Sequence, residues 1–585
     1  MNKKNKIRFV LALSTLLSLT SCGSIAYSGP LLSSNPSSTS TGSSSAITRF
    51  TITFVDDDGT VLQTEQLPVG ALPTCVHPAK KEDSENTYVF KEWSPAIVPV
   101  KENATYRAVY LISSKNYTVG VSYGLNDDGA SYTAFNYGGI ETSIVVASYY
   151  KGYPVTAIGG STFADKERIT EIVLPKKLTT IGAYAFSGCK ALTSLAIPDT
   201  ITSVGYEAFY NCKALAFNDK DGGHYVGNTN NPYLVLAGLS TLDKTLAIPA
   251  TTKVYAERAG KETHQTGFSS ISVDAKNTAF SSDGRALFNH DKTTLLLFAE
   301  LSGTSYVIPE GVKTLANGAF AYDTSLLGIT FPSSLKALEK EAFYDCTHLA
   351  QASINEGLEE IGDTAFGYCA LLKEIVLPDS VTNIGINAFS DNLSLTLIHL
   401  GANLTELKAG SFARCGALTS LAIPEHLVTI SPQAFEGCTA LASFSVDKAN
   451  TAFSSDGRSL FNKADQSLIT YADASGSDYT IPDGITSIQA LGFFSLSHLV
   501  SVVLPTSLKT LYPQSFDHCS ALTNISLSNA ITAFPADTFF LCKELTTLTY
   551  PGTQAEWAKL EKAYNWAEGC SKLTSVICTD GTVSL

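Results

Sequence analysis

The sequence predicts a repeat solenoid built from short parallel strands, with a small separate β-domain ahead of it. A phrase of 23 residues recurs through most of the chain, and 585 residues are too many for one compact core. Apolar residues make up 44% of the chain and charged residues only 16%, so there is ample material for a core. Since a 23-residue unit cannot enclose its own apolar face, neighbouring copies must stack.

A phenylalanine defines the repeated phrase. Phe186 and Phe209 lie 23 residues apart, as do Cys189 and Cys212. The residue before the phenylalanine is always Ala, Ser, Thr or Gly, and the residue five positions before it is always apolar. These constraints are typical of core packing and predict a ring that is buried between two coils. The phenylalanine occurs twelve times, as Phe163, Phe186, Phe209, Phe320, Phe343, Phe366, Phe389, Phe412, Phe435, Phe493, Phe516 and Phe539.

The remainder of each copy predicts the elements of one coil. A run such as "LTSLAIP", Leu192 to Pro198, alternates apolar and polar residues and therefore predicts a short strand, which the proline ends. A turn, a second apolar anchor and a short helical turn that carries the phenylalanine complete the coil.

The form "VLPDSVTNIGINAF", Val376 to Phe389, resembles the BspA-type leucine-rich repeats of bacterial surface proteins. The resemblance covers most of residues 112–545 and implies a solenoid of strand and short-helix coils with parallel strands. Two longer copies, residues 273–289 and 446–462, match the β-rich insertions that such arrays carry. Residues 216–270 depart from the pattern, so their stacking is the weakest part of the prediction.

The tail, residues 546–585, resembles the closing segment of the same family. Its stretch "YPGTQAEWAKLEKAYNW", Tyr550 to Trp566, predicts an amphipathic helix that covers the apolar end of the last coil.

Residues 49–111 form a separate predicted module. The alternation in "FTITFV" and "YRAVYL" predicts strands, and Asp58-Gly59 is a hairpin turn signal. The segment resembles the Listeria-Bacteroides repeat, a small β-grasp-like module of bacterial surface proteins. Asp56, Asp57 and Asp58 are interpreted as a solvated turn, because a calcium loop needs alternating ligands and a distal carboxylate.

The amino terminus predicts export and a lipid anchor. Residues 1–21 combine a basic start with an apolar run too short to span a bilayer, which is typical of a signal peptide. "LTSC", Leu19 to Cys22, resembles a bacterial lipobox and implies cleavage before Cys22 and lipidation of its sulfur. An ordinary secretory signal with an incidental cysteine is the alternative. The Ser-rich residues 22–48 predict a linker between the membrane at the cell surface and the first domain.

Charge argues against a nucleic-acid partner. The formal net charge is −14, and loss of the four positive charges of the signal peptide takes it to −18. Nucleic-acid binding requires a basic surface, so the sequence predicts no nucleic-acid partner.

Eight of the twelve cysteines follow a repeat phenylalanine by three residues. Adjacent parallel strands lie about 4.7–4.9 Å apart, so cysteines in neighbouring coils are close enough for disulfides. Buried free thiols are the preferred interpretation, because four copies do without cysteine there. Zinc fits the spacing less well than disulfides do, since ligands 23 residues apart form a row and not a tetrahedron. The pairs are Cys189 and Cys212, Cys346 and Cys369, Cys415 and Cys438, and Cys519 and Cys542; the four exceptions are Lys166, Asp323, Asn392 and Leu496.

Motifs for catalysis, cofactors or metals are missing from the sequence. There is no HExxH, G-x-S-x-G, phosphate-binding glycine loop or CxxC. Glu171 and Glu374 occupy outward strand positions, where acid/base catalysis would need a partner in a pocket. The "SSDG" turns, residues 281–284 and 454–457, are interpreted as hairpin tips. The sequence therefore predicts a protein that is not an enzyme and has no cofactor.

These features together predict a cell-surface lipoprotein whose solenoid binds an extracellular protein or glycan. A polysaccharide-holding accessory protein of an extracellular hydrolase system and a structural surface spacer are the alternatives. A glycan binder should expose a row of aromatic rings, and Tyr150 and His399 are the only ring-bearing residues predicted at outward strand positions. This favours a protein ligand.

Overall fold

The computed structural model describes residues 47–240, 243–257 and 267–585. The predicted signal peptide, Cys22 and nearly all of the linker lie outside these residues. By its contacts the chain divides into two compact units. Of the described residues, 47–75 and Ser94–Arg107 form one unit, and Val76–Trp93 together with those from Ala108 to Leu585 form the other. Residues 49–111 therefore contribute to both units.

The first unit is built on an antiparallel strand pair. Strand Arg49–Val55 pairs with strand Val61–Pro68. Its residues Ile52 to Val55 also pair in parallel with Ala104 to Arg107. The rings of Phe54 and Tyr106 are buried and stack at 5.2 Å. The amino-terminal strands are Arg49–Val55, Val61–Pro68, Asn86–Ser94 and Ala104–Ser114.

The second unit confirms the predicted solenoid. Most coils contribute two short strands, and equivalent strands of neighbouring coils pair in parallel in several separate sheets. The first series, called ladder A, comprises Ser143–Val145, Glu171–Val173, Thr245–Ile248, Ser270–Val273, Ser305–Val307, Gly328–Thr330, Gln351–Ser353, Glu374–Val376, Leu397–His399, Ser420–Ile423, Ser443–Val446, Asp478–Thr480, Ser501–Val503, Asn524–Ser526, Thr547–Thr549 and Ser575–Cys578. The second series, ladder B, comprises Tyr153–Ile158, Thr180–Ile181, Ser203–Val204, Val254–Tyr255, Thr314–Leu315, Ala337–Leu338, Glu360–Ile361, Asn383–Ile384, Glu406–Leu407, Thr429–Ile430, Ser487–Ile488, Thr510–Leu511, Ala533–Phe534 and Glu561–Lys562.

The strand register explains the period of the sequence. In ladder B, Thr314 pairs with Ala337, Ala337 with Glu360, and Glu360 with Asn383. Each step is 23 residues, so one copy of the phrase makes one coil.

In most coils the segment around the phenylalanine is a non-helical turn, whereas Pro432–Phe435 forms the short helical turn that the sequence predicts, as a 3-10 helix. Tyr184 and Gly188, two positions either side of Phe186, have positive φ angles of 56° and 74°. The N–H group of Phe186 donates to the carbonyl of Ala208 in the next coil at 2.9 Å. The left-handed residues orient the backbone N–H and C=O groups parallel to the direction in which the coils stack. These groups therefore form hydrogen bonds with the neighbouring coils. These bonds form a third ladder.

Antiparallel hairpins interrupt the regular coils at four places. The two longer copies form hairpins, as the resemblance implies, and residues 121–137 and 218–239 form two more. In the region where the pattern departs, Thr245–Ile248 still pairs in parallel with Ser270–Val273. The stacking is thus retained by the described part of residues 216–270. The hairpin strands are Val121–Leu125, Tyr132–Tyr137, Asn218–Lys220, Gly223–Val226, Val235–Leu239, Phe280–Ser282, Ala286–Asn289, Thr294–Phe298, Phe453–Ser455, Ser459–Asn462 and Ser467–Tyr471.

The repeat phenylalanines form the centre of the core. Phe343 and Phe366 stack at 5.1 Å and Phe366 and Phe389 at 5.3 Å, with the ring planes within 5° of parallel in both pairs. All three rings are fully buried. The core of the coils consists of three apolar clusters, between residues 121 and 299, 286 and 472, and 461 and 578.

The carboxy-terminal cap is an additional coil and not a long amphipathic helix. The helix there covers only Gln554–Trp557, with a capping box between Thr553 and Glu556. Strand Gly581–Ser584 closes ladder A by pairing antiparallel with Ser575–Cys578. The other described elements are strand Tyr149–Tyr150 and the 3-10 turns Glu300–Ser302, Pro432–Phe435 and Asp473–Ser475. Among the described residues, no helix is long and apolar enough to cross a membrane.

Candidate recognition surfaces

The strands of ladder A present an outward surface, called the strand face. In strand Glu374–Val376 the central Ile375 is buried, while Glu374 and Val376 are exposed. The same alternation places His399 on this face, as the sequence predicts. Because side chains alternate across a strand, every coil offers side chains to solvent at a constant spacing. The strand face is therefore an extended surface that a large partner could contact.

Polar side chains on the coils connect each coil to the next. The Thr396 hydroxyl donates to the Lys373 carbonyl at 3.1 Å, 23 residues earlier. The Lys336 ammonium lies 2.7 Å from the Glu359 carboxylate, again one coil away. Such exposed ion pairs contribute about 0–1 kcal/mol each, so they supplement a stack that the core stabilises.

Tyr150 does not lie on the strand face, contrary to the sequence-based prediction. It belongs to the short strand Tyr149–Tyr150, which pairs antiparallel with Tyr153–Ile158. Its ring stacks on Tyr123 at 4.4 Å and contacts Tyr132 at 5.3 Å. The packing of a preceding hairpin, which sequence alternation does not reveal, decides this placement.

A second outward surface lies beside the phenylalanines. We call it the turn face and define it by the residues one and two positions after each repeat phenylalanine. Tyr322, Tyr344 and Tyr368 lie there in three successive coils and form the tyrosine row, with ring centroids 5.6 and 5.4 Å apart. Phe494, His518 and Phe540 form an equivalent row nearer the carboxy terminus. The sequence-based expectation concerned outward strand positions only, and both of these rows lie on the turn face.

The repeat cysteines form an internal ladder. Each of the eight Sγ atoms donates to the carbonyl of the phenylalanine in the preceding coil, at 2.7–3.2 Å. Cys570 continues the ladder toward Phe539 at 2.9 Å. Burial raises the pKa of Cys189 to about 11 and that of Cys438 to about 12, so these thiols keep the proton that they donate. All cysteines of the described residues are free thiols.

The SSDG turns are structural. Asp283 Oδ1 accepts the backbone N–H of Arg285 at 2.9 Å, and Asp283 Oδ2 accepts the Tyr306 hydroxyl at 2.6 Å. The Arg285 guanidinium lies over the Tyr306 ring at 4.9 Å and donates to the Ser305 carbonyl at 2.8 Å. These contacts engage the carboxylate of Asp283 and the guanidinium of Arg285 within the hairpin tip. Asp456, Arg458 and Tyr479 repeat the arrangement in the second long copy.

Ser497, His498 and Asp473 are near one another but do not form a catalytic triad. Asp473 Oδ2 accepts the Ser497 hydroxyl at 2.7 Å and lies 3.2 Å from His498 Nδ1. The Ser497 hydroxyl lies 3.1 Å from the same ring nitrogen. In a hydrolase triad the carboxylate and the hydroxyl contact opposite ring nitrogens, so the carboxylate orients the imidazole while the other nitrogen takes the hydroxyl proton. Here the buried Asp473 joins a hairpin end to the next coil.

The acidic turn of the amino-terminal unit forms hydrogen bonds within itself. The carboxylate oxygens of Asp56, Asp57 and Asp58 lie within 4.8 Å of one another. Asp56 accepts the N–H of Asp57 at 2.9 Å, and Asp58 accepts that of Thr60 at 2.8 Å. These bonds are typical of a turn, and the interpretation of the three aspartates as a solvated turn stays a prediction.

The stacked parallel coils with one buried phenylalanine per turn and two exposed faces define a leucine-rich-repeat solenoid, a class of binding scaffold. A family model described as "BspA type Leucine rich repeat region" matches in six copies over residues 156–221, 296–416, 359–474 and 467–582. These segments are more than half of the chain. The chain therefore belongs to the BspA-type leucine-rich-repeat family of bacterial surface proteins.

Several solved structures are similar to this chain. The pneumococcal vaccine antigen PcpA is 25% identical, with a TM-score of 0.43, over 51% of this chain and 79% of that one. A leucine-rich cell surface protein from Faecalibacterium prausnitzii is 20% identical, with a TM-score of 0.35, over 78% and 87%. A leucine-rich repeat protein from Bacteroides ovatus is 18% identical, with a TM-score of 0.29, over 79% and 99%. No curated protein matches the chain.

Proposed function

We propose that this protein is a lipid-anchored recognition protein of the bacterial cell surface, whose solenoid binds extracellular macromolecules. The observation that carries the proposal is the strand face, where each coil exposes side chains such as Glu374, Val376 and His399 at a constant spacing. Broad exposed surfaces of this kind suit large partners and not small substrates. The protein acts by binding and not by catalysis.

An anchored protein gains avidity from its neighbours. A shallow contact surface of small and polar side chains yields modest affinity for a single molecule. Many copies held on one membrane act together on one target, and binding to that target becomes much stronger. Recognition therefore depends on the lipid anchor as well as on the solenoid.

Arrayed and single molecules should consequently bind differently. The chain from residue 22 onward with Cys22→Ala, which is not lipidated, is offered to host matrix proteins, epithelial cells and polysaccharides. We expect weak binding in solution and strong binding when the same protein is arrayed on beads. Absence of binding by the array would contradict a recognition function and favour a structural spacer. Hydrolysis of a polysaccharide would contradict the non-catalytic role.

Comparison of two fragments assigns the working surface. Residues 49–111 and residues 112–585 are presented at equal density to the same targets. We expect the second fragment to bind and the first to be dispensable. Binding by the first fragment alone would make the solenoid a spacer.

Cys22 is the proposed lipid attachment site. Metabolic labelling with a fatty acid should label the wild-type protein, and Cys22→Ala should abolish the label and release the protein from the membrane or block its processing. Two or more acyl chains are needed for durable anchoring, so loss of this one residue removes the whole anchor. Retention of the label after the substitution would exclude the lipoprotein assignment.

A further inference from the structure

One strand of ladder A has a small residue at its centre. The central residue of these strands is the one whose side chain enters the core. It is Ile329 in one coil and Ile375 two coils later, and both are buried. In strand Gln351–Ser353, which lies between them, it is Ala352, and Ala352 is only partly buried. Alanine in place of isoleucine leaves the space of the missing carbon atoms unfilled.

The hydrogen bonds of ladder A are interrupted beside the same strand. Gln351–Ser353 pairs only with the strand of the preceding coil, and Glu374–Val376 pairs only with the strand of the following coil. The N–H group of Ile354 forms no hydrogen bond within the described residues. The equivalent N–H group of Leu377, one coil further, donates to the His399 carbonyl at 2.9 Å. Two strand edges with unpaired backbone groups therefore face each other.

A cavity of about 550 Å³ opens on the strand face at this interruption. Its apolar lining residues are Ala350, Ala352, Ile354 and Val376. Ile354 is partly exposed there, whereas the equivalent Leu377 is 3% exposed. A partner on the strand face can therefore reach apolar side chains that other coils bury.

A second interruption of ladder A shows what the small residue contributes. Strands Leu397–His399 and Ser420–Ile423 do not pair with each other. Their central residues Ile398 and Leu421 are nevertheless buried, because large side chains fill the space under the strands. At Ala352 the unpaired strand edge and the accessible core coincide.

The rim of the cavity does not select a charged ligand. Lys373 and Glu374 are exposed on it with opposite charges, and neither forms an ion pair within the described residues. The described lining residues also include no aromatic ring on which a sugar could stack. Aliphatic walls beside unpaired backbone groups instead match an extended polypeptide, which supplies both apolar side chains and backbone hydrogen bonds.

We propose that the cavity at Ala352 holds an apolar side chain from an extended segment of a partner protein. This side chain, of the size of leucine or isoleucine, fills the space that isoleucine fills in neighbouring coils. The Ala350 carbonyl accepts no hydrogen bond within the described residues, so the segment donates to it and accepts from the Ile354 N–H group. These are hydrogen bonds of the kind that join the coils of ladder A.

This inference rests on the proposed recognition function and names its surface and the chemistry of its partner. In a broad interface a few side chains buried in pockets carry most of the binding energy. The cavity thus supplies the anchor point of an otherwise shallow strand face.

Peptide binding tests the proposal. The chain from residue 22 onward with Cys22→Ala is mixed with three probes, and saturation-transfer NMR, which detects weak ligands, measures their binding. The probes are the end-blocked peptide Ser-Thr-Leu-Thr-Ser, the same peptide with alanine in place of leucine, and an oligosaccharide of β-linked glucose. We expect the leucine peptide to bind through its methyl groups, and the other two to bind at least about tenfold more weakly.

Variants of the cavity separate binding from stability. Ala352→Ile fills the cavity, so it should weaken leucine-peptide binding about tenfold or more and leave the thermal midpoint equal or higher. Val376→Ser removes an exposed apolar wall without filling the cavity, so it should weaken binding at an unchanged midpoint. Ala422→Ile is the matched control, because it places the same side chain at an exposed position of the strand face in another coil. It should change neither property.

The results distinguish this inference from the proposed function. Equal binding of the leucine and alanine peptides, or binding of the oligosaccharide in their place, would overturn the anchor cavity. So would unchanged leucine-peptide binding by Ala352→Ile or, if that variant lowers the midpoint, by Val376→Ser. If the arrayed Ala352→Ile variant captures extracellular targets as the wild type does, recognition stands and the cavity is not its surface. If the arrayed wild-type protein captures nothing, the recognition function itself fails, whatever the peptide result.

Discussion

A glycine in the phrase "IG" shows how closely two coils approach. A Cβ atom on Gly362 would lie 2.6 Å from the carbonyl carbon of Glu339 and 2.7 Å from the amide nitrogen of Lys340, both in the preceding coil. These neighbours are backbone atoms that also belong to the hydrogen-bonded ladder, so they cannot move independently. Glycine is required there by contact between coils, which a single coil would not reveal.

Gly362→Ala should therefore destabilise the protein by about 1–3 kcal/mol through overpacking. Gly328→Ala is the matched control, since the nearest atom to its added Cβ would be 4.0 Å away, an ordinary contact. Thermal unfolding of the two variants measures the difference. Equal midpoints would contradict the close approach of the coils at Gly362.

At the scale of the element, the role of the cysteine ladder follows from the direction of its hydrogen bonds. Each thiol bonds to a carbonyl in the preceding coil, and neighbouring thiols are not joined. The cysteine ladder thus gives a hydrogen-bond donor to buried carbonyl groups of the repeat phenylalanines, and each donor is a small apolar side chain. Asn392 holds the cysteine position in a coil without cysteine, and its amide donates to the carbonyl of Phe389 in its own coil at 3.0 Å.

Thiol labelling tests the state of this ladder. With a maleimide and no reductant, the native protein should label at the partly exposed Cys75 and remain unlabelled at the buried cysteines. After denaturation all eleven described cysteines should react. Mass spectrometry counts the adducts. A deficit of two or more adducts, restored by reductant, would indicate disulfides between neighbouring coils.

At the scale of the whole molecule, stability is distributed along the repeat. The three apolar clusters follow one another in sequence, and each coil packs mainly against its two neighbours. Damage to one coil should therefore unfold a local region first, in contrast to the all-or-none unfolding of a small globular domain.

Phe366→Ala should cost about 3–5 kcal/mol, because it opens a cavity between two stacked rings. Limited proteolysis should then cut first near residues 340–390. Phe516→Ala is the matched control, since its ring stacks on Phe493 at 4.8 Å, and it should move the first cuts to residues 490–540. Uniform loss of protection along the chain in either variant would contradict a nearest-neighbour array.

The sequence by itself determined the coil. Its period, its buried phenylalanine and its apolar anchor follow from one 23-residue pattern, because each coil must bury the same positions against an equivalent neighbour. The position of His399 on the strand face follows from strand alternation for the same reason. Local periodicity is sufficient wherever the packing partner is the next copy.

Only the tertiary structure decided the turn conformation, the placement of Tyr150 and the tyrosine row. Tyr344 lies one position after its phenylalanine, whereas Tyr322 and Tyr368 lie two positions after theirs, so alignment of the copies does not bring them into one column. The contact of Tyr206 with Glu341 joins residues 135 apart. Outward side chains are not constrained by core packing, so their grouping depends on how distant coils and hairpins are placed, which no local pattern encodes.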